Sequence, residues 1–383
     1  MANYDVIVAG IGAMGSAAAY QLARRGQRVL GLERYDIPHA MGSSHGVNRI
    51  IRLAYFEHPL YVPLLRRAYE LWRSTEADFG EQLLHITGGI DAGPPDGRVV
   101  SGSLAACREH DLPHDLLDAA EAMRRFPGYR LTAGQVANFQ ADAGFVMSER
   151  AIVAHVTMAM AAGAEIRARE AILGWEPTAG GGVRVTTTRG TYEAGRLILS
   201  TGAWIGDHAA DLAPLAVPER QVLGWFQPKV PAHFALGAFP VSIVDTGTTS
   251  CYQFPVFGVP GFKIGLYHHL RQSGHADGLS REPTEQDETA LRAVLRETFP
   301  DADGPLLGLR CCLFTNTPDE HFIVDTLPGL PQVVVASPCS GHGFKFASVM
   351  GEVLADLAVS GATRHDISLF RLDRFAAGQG APH

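Results

Sequence analysis

The chain has 383 residues, 46% of them hydrophobic, and a formal charge of −8. That length suits two domains or one large discontinuous unit, with ample apolar side chain for a core. The balance of 40 acidic against 32 basic residues excludes nucleic acid as the main partner, which would require a basic face.

Residues 4–10 (YDVIVAG) read as a buried strand, residues 10–26 as a glycine turn and an alanine-rich helix, and residues 27–34 (QRVLGLER) as a second buried strand. This is one βαβ unit. Residues 60–80 form an amphipathic helix with Pro63 in its first turn. Residues 85–140 mix Gly/Pro turns with short helices and break the α/β rhythm. Residues 148–165 are a helix with Ser148 as its N-cap, and residues 165–203 are short strands with a hairpin at TTRGTY. Residues 217–318 are a β-rich insert holding one helix (residues 284–299). The chain closes with a strand (QVVVAS), a glycine loop (PCSGHG) and a helix stopped by Gly361. The expected fold is α/β with α+β inserts. A Rossmann-like nucleotide domain takes residues 1–84, 142–216 and 319–383; a discontinuous β-rich substrate domain takes residues 85–141 and 217–318. No apolar run reaches the ~18 residues of a membrane span, and residues 1–5 carry no leader pattern, so a cytoplasmic protein is expected.

Gly10, Gly12 and Gly15 spell GxGxxG between that first strand and helix, and Glu33 follows at the end of the second strand. Gly10 permits the tight turn, Gly12 lets a pyrophosphate approach the backbone, and Gly15 lets the helix pack on the sheet. The helix N-terminus holds phosphate, and Glu33 accepts from ribose hydroxyls. The motif does not separate NAD from FAD. Two features lean to FAD: LILSTGAW (residues 197–204), a late strand returning to the nucleotide, and SGHGFKF (residues 340–346), a strand–helix junction whose amides can converge on negative charge.

The five cysteines, Cys107, Cys251, Cys311, Cys312 and Cys339, make no paired framework and no zinc spacing, which fits a reduced intracellular chain. Cys311 and Cys312 are adjacent in LRCCLFTNTPDEHF. In a strand their side chains point to opposite faces, and the Cα spacing of neighbours is too short for a normal disulfide. From the residues alone they read as two small buried hydrophobes. Arg310, two residues before Cys312, is the cation that would share its face.

The motifs GIGAMGS, GSSHGVNRIIRLAY, LILSTGAW, RQVLGWF, FKIGLYHH, CCLFTNTPDEHFIVDTLPG, SGHGFKFASVMGEVLADLA and DISLFRLDRF resemble, in order, those of the monomeric sarcosine oxidase and N-methyltryptophan oxidase group of flavoproteins. The resemblance runs through nearly the whole chain. It implies FAD, attached covalently through Cys312. It implies cofactor contacts from Gly10, Gly12, Gly15, Glu33, Arg34, Ser43, Ser44, His45, Arg49, Gly341, His342, Gly343, Phe344 and Lys345. Arg52 and Lys345 are implied to clamp a substrate carboxylate, with Tyr252 nearby; arginine suits this because its fork pairs both oxygens. Lys263 is implied to activate oxygen beside the flavin, where a fixed cation stabilises developing negative charge. The family histidine four residues after that lysine is met here by Tyr267, so His268 is taken as its equivalent through a one-residue insertion. The catalytic set is then Lys263, His45, Arg49 and His268. Asn48 replaces a threonine, Val47 an acid, and Phe314 a tyrosine of sarcosine oxidase. Without the resemblance, the basic residues of SSHGVNRIIR read as solvated loop charges, Lys345 as a snorkelling lysine and Lys263 as a strand-edge lysine.

The expectation is an oxidase, acting as a monomer, of a small secondary amine bearing a carboxylate. Oxygen is the electron acceptor and is reduced to hydrogen peroxide. A flavin dehydrogenase or a cyclic imino acid oxidase of the same fold is the alternative, and a non-catalytic FAD-binding module lies further off. No metal, nucleic acid or membrane is expected. Asp319, Glu320 and His321 resemble metal ligands only out of context.

Overall fold

The computed structural model of the chain describes residues 4–376, so the expected outer limits at residues 1 and 383 lie outside the described residues. Two eight-stranded sheets face each other across the site. In the first, Tyr4–Ala9 is the centre, parallel to Val29–Leu32 on one side and to Thr191–Leu199 on the other. Leu330–Ser337 runs parallel to the end of Thr191–Leu199, and Ile323–Leu327 turns back beside it. The central strands are apolar over Val6–Ala9 and Val29–Leu32 because both faces are covered there. The helices Ala13–Ala23, Val62–Phe79, Ser148–Ala161 and Ala347–Ser360 pack together against this sheet. The tightest crossing needs Gly351: a Cβ there would lie 2.6 Å from the Ala17 carbonyl carbon.

The second sheet runs in the order Leu306–Asn316, Val217–Phe226, Phe262–Leu266, Ser250–Phe254, Val241–Asp245, Gly89–Gly93, Val136–Gln140, Asp115–Asp118. Alternation along each strand splits it into two faces. One face (Val222, Phe226, Cys251, Cys311) packs on the helix Glu285–Thr298. That helix is closed at its start by a capping box between Thr284 and Asp287. The other face (Trp225, Tyr252, Phe254, Cys312, Phe314) looks towards the first sheet. A small sheet of Asn48–Ile51, Gly144–Met147 and Leu84–Ile86 joins the two.

The expected hairpin forms between Val183–Thr187 and Thr191–Leu199. Ser148 does not cap its helix. Met147 holds that position, and the Ser148 hydroxyl instead donates to Glu149 at 2.7 Å. The Glu149 carboxylate is drawn there because it also accepts from the amides of Gly46 and Val47.

Candidate active site

One cavity of ≈ 470 Å³ runs between the two large sheets. Its walls come from the turn after Tyr4–Ala9, the loop at residues 42–44, Arg49, the second sheet around Tyr252 and Cys312, and residues 341–345.

The glycine turn forms one end. Gly10 has φ +85°, and the Ser200 carbonyl stands 2.6 Å from where its Cβ would be. A Cβ on Gly15 would fall 1.8 Å from the Gly10 carbonyl oxygen, so this residue is inside the packing rather than on the cavity wall. Gly12 is different: the nearest atom to its absent Cβ is the Ser44 hydroxyl at 3.7 Å. Its open side faces the cavity, where a phosphate can approach the backbone. Glu33 lines the same end and is nearly fully buried, accepting from the Ile11 amide at 2.9 Å and the Tyr35 amide at 3.0 Å. Arg34 reaches the wall over Tyr35 and Trp204 and pairs with Asp277 at 3.2 Å. Ser43 donates to the Leu313 carbonyl, and Ser44 accepts from the Ala13 amide.

Cys312 lines the middle, and Cys311 points the other way, against Arg220 at 3.1 Å. Burial pushes the Cys312 thiol up, while Arg49, Lys263 and Arg281 pull it down. Arg310 is not among these cations. It is exposed and bonds its neighbour's carbonyl. The charges that face Cys312 come from other elements, which strand alternation does not specify. Arg49 is on the wall, holding the Ser43 carbonyl at 2.8 Å. His45 sits behind it; burial and then Arg49 bring its pKa down to about 4, so it is neutral.

Lys263 is buried behind the wall rather than on it. Its ammonium donates to the Gly46 carbonyl (2.8 Å), the Asn48 carbonyl (2.7 Å) and Asn48 Oδ1 (2.8 Å). It also lies 4.0 Å from the centre of the Phe254 ring. Burial and then Arg49 lower its pKa, opposed by Glu149 and Cys312; three acceptors around one nitrogen favour the ammonium, because a neutral amine has only two N–H groups.

The far end is aromatic. Tyr252, Tyr267, Phe254 and Phe314 line it, with Tyr252 and Tyr267 edge to face at 5.3 Å. Burial raises both phenols, so they stay neutral. Lys345 lies in the turn before Ala347–Ser360, its ammonium donating to the His342 carbonyl at 2.6 Å. Burial, opposed by Glu57, brings Lys345 down to about 7. His342, brought to about 4 by burial, has Nε2 2.9 Å from the Glu320 carbonyl. A carbonyl only accepts, so the proton is on Nε2 and Nδ1 accepts from the Tyr55 hydroxyl at 2.6 Å. Gly341, Gly343 and Phe344 complete this wall.

Beyond Gly15, His45 and Lys263, two more expected residues lie off the wall. Arg52 is behind the wall, its Nη2 donating to both oxygens of Glu57 at 3.1 and 2.9 Å, with Asp91 3.6 Å from its Nε. Burial alone would raise Glu57, but Arg52 holds it lowered; burial pushes Asp91 up to about 7 against Arg52. His268 does not reach the cavity. It lies between Glu219 (3.0 Å) and Glu320 (3.3 Å), while Tyr267 takes the place on the wall. Tyr267 directly follows the strand Phe262–Leu266, four residues after Lys263 and so on the same parity, and no insertion is needed. That even spacing was the available signal. Glu57 and Asp91 had no sequence signal, since only folding brings them to Arg52. Asp319, Glu320 and His321 diverge to Arg374, Arg98 and Tyr61 respectively.

FAD fits these residues. Gly12 leaves its backbone open to the cavity, and Thr201 Oγ1 on the wall and His45 Nε2 behind it are buried with no hydrogen-bond partner.

The profile of the FAD dependent oxidoreductase family matches residues 5–357. The chain is 42% identical to monomeric sarcosine oxidase of Streptomyces avermitilis, over 98% of each chain. It is 34% identical to N-methyl-L-tryptophan oxidase of Salmonella arizonae, over 98% of this chain and all of that one. Among solved structures it is similar to NikD, described as an unusual amino acid oxidase essential for nikkomycin biosynthesis. That match has a TM-score of 0.84 and 29% identity, covering 96% of this chain and 97% of that one.

Proposed function

The chain belongs to the FAD dependent oxidoreductase family, in the group of monomeric sarcosine oxidase and N-methyltryptophan oxidase, and from that premise we propose that it is an FAD-dependent oxidase of N-methyl amino acids. The observation that carries the reading is the single cavity joining the Gly10–Gly12 turn to Cys312, Tyr252 and Lys345.

Bound FAD supplies the two-electron acceptor for the C–H bond next to the amine nitrogen. The protein's part is binding, orientation and charge. The Gly12 backbone, Glu33, Ser44 and Arg34 hold the nucleotide end. Cys312 Sγ would hold the cofactor covalently, and Arg49, Lys263 and Arg281, which favour its thiolate, would assist. Tyr252, Tyr267 and Phe314 exclude water around the reacting carbon. Lys345 pairs with the substrate carboxylate, and Arg52 joins it once Glu57 gives way. The cations Arg49, Arg52 and Lys263 disfavour an ammonium in the chamber, so the amine is held as its free base, the form that can yield the imine. The imine hydrolyses in water and releases formaldehyde from an N-methyl group. The Lys263 ammonium stabilises negative charge on oxygen as it is reduced to hydrogen peroxide. The five free cysteines support a reduced cytoplasmic setting. Among the described residues no helix is long and apolar enough to cross a membrane.

The test is the visible spectrum before and after acid precipitation, for wild type, Cys312→Ser and Cys311→Ser. Yellow colour should stay in the pellet of wild type and Cys311→Ser and leave it in Cys312→Ser. N-methyl amino acids should then give peroxide. Colour that washes out of wild type would remove the tether; a protein that never binds FAD would remove the whole reading.

A further inference from the structure

Behind Arg52 lies a second, small cavity of ≈ 10 Å³, bounded by Arg52, Asp91, Asn138, Gln140 and Ser242. Asp91 and Asn138 are cross-strand partners, so both side chains lie on one face of the sheet. Arg52 Nε, Asp91 Oδ1 and Asn138 Oδ1 are all buried with no hydrogen-bond partner. Arg52 and Asp91 are each only 4% exposed. A buried carboxylate beside a guanidinium that already has a carboxylate partner calls for a reason.

The geometry of Arg52 supplies one. Its Nη2 faces Glu57, its Nη1 donates to the Ala54 carbonyl at 3.2 Å, and its Nε faces Asp91 at 3.6 Å. The rings of Tyr55 and Phe56 lie 4.6 and 4.5 Å from the guanidinium carbon and hold its plane. These contacts hold the guanidinium in this orientation. A carboxylate that binds it must take the position of Glu57. Between the departure of one carboxylate and the arrival of the next, Arg52 would be a buried, unpaired charge, among the costliest states in a protein interior.

We propose that Asp91 is a positioning residue for substrate: the standing counter-ion of Arg52, which keeps the guanidinium paired while Glu57 is exchanged for the substrate carboxylate. The inference rests on the reading of Arg52 as a carboxylate site. Glu57 and the incoming carboxylate occupy the same edge, so Asp91 repels both alike and leaves the equilibrium between them unchanged. Its effect is on the exchange rate.

The experiment uses FAD-loaded enzyme at pH 8.5, where Asp91, pushed up to about 7 by burial, is ionised. The probe is butanoate, the carbon isostere of sarcosine, which carries the carboxylate and no oxidisable amine. Its binding is followed by stopped-flow from the change in flavin absorbance. Asp91→Asn and Asp91→Ser should each slow association and dissociation together, by about tenfold or more, with Kd nearly unchanged. A structural defect would shift Kd or the amplitude instead. Unchanged rates, or a changed Kd with unaltered dissociation, overturn the proposal. Arg52→Gln separates the premise: if it binds butanoate as wild type does, or if wild type does not bind it, the carboxylate reading of Arg52 fails and Asp91's role with it.

Discussion

Lys263 and Asn48 are joined twice: the buried ammonium donates both to the Asn48 carbonyl and to its side-chain oxygen, at 2.7 and 2.8 Å. With the Gly46 carbonyl this accounts for its three N–H groups. The lysine is thus fixed as a charge close to Arg49 and Cys312 without itself opening onto the cavity. Replacing it with an apolar side chain tests what that charge does. Lys263→Met should slow reoxidation by oxygen by roughly 10²–10³-fold, the usual effect of losing one preorganised electrostatic partner. Anaerobic bleaching by substrate should hold its rate. Equal loss in both half-reactions would mean the lysine serves structure.

Glu57 competes with any carboxylate for Arg52. Glu57→Gln removes the negative charge while keeping the shape. Butanoate should then bind about tenfold more tightly, since one charge-assisted partner no longer has to be displaced. The ligand-free protein should lose about 1–3 kcal/mol, because Arg52 is left with Asp91 alone. Calorimetric titration and denaturant unfolding measure the two effects. Weaker binding would show that Glu57 helps to hold the ligand.

Gly12 and Gly15 should fail in different ways. At Gly12 an added methyl meets only the Ser44 hydroxyl at 3.7 Å, so Gly12→Ala should fold and melt like wild-type apoprotein. It should nevertheless lose FAD, because the methyl stands where the phosphates approach. Gly15→Ala drives a methyl to 1.8 Å from the Gly10 carbonyl oxygen and should destabilise the apoprotein by about 1–3 kcal/mol or more. The ratio of flavin to protein absorbance, read with the apoprotein Tm, distinguishes them.

His268 supplies a pH-dependent prediction. Hydrogen bonds donated to Glu219 and Glu320 raise its pKa to about 9, above the usual 6.5. A raised pKa gives stability that is full below about 6.5 and is lost as pH climbs through about 9. His268→Gln should therefore cost about 1–2 kcal/mol near pH 6, after allowing for the partial exposure of the pair. The cost should vanish above pH 10. A penalty constant from pH 6 to 10 would assign the effect to packing.

The nucleotide end was readable because its constraints are local. GxGxxG and Glu33 lie within one βαβ unit, and each glycine has a steric reason close in sequence. The opposite facing of Cys311 and Cys312 followed from strand geometry alone. Reading failed where partners come from distant segments. Arg310 shares the parity of Cys312, yet the cations beside that thiol come from the strands at Arg49 and Lys263 and the connecting segment at Arg281. His268 was preferred over Tyr267 on side-chain type, although the even spacing from Lys263 favoured Tyr267. The sequence points to Arg52 as a carboxylate clamp, and nothing local to it shows that Glu57 and Asp91 converge on it.

The first sheet has a consequence for the making of the protein. Its central strand, Tyr4–Ala9, is flanked by Thr191–Leu199, which in turn needs Leu330–Ser337. At a synthesis rate of roughly 5–20 residues per second, the earliest strand waits on the order of half a minute for the last one. Until Thr191–Leu199 is made, VIVA has a neighbour on one side only, and its other edge is open to wrong pairing. The glycine turn is made early, but the residues that close the cavity opposite it, such as His342 and Lys345, are made late. The cavity is therefore not closed until residues 341–345 have been made, and full retention of the cofactor should wait on them. Cellular FAD supply should then affect the yield of finished enzyme more than the number of chains that complete the first sheet.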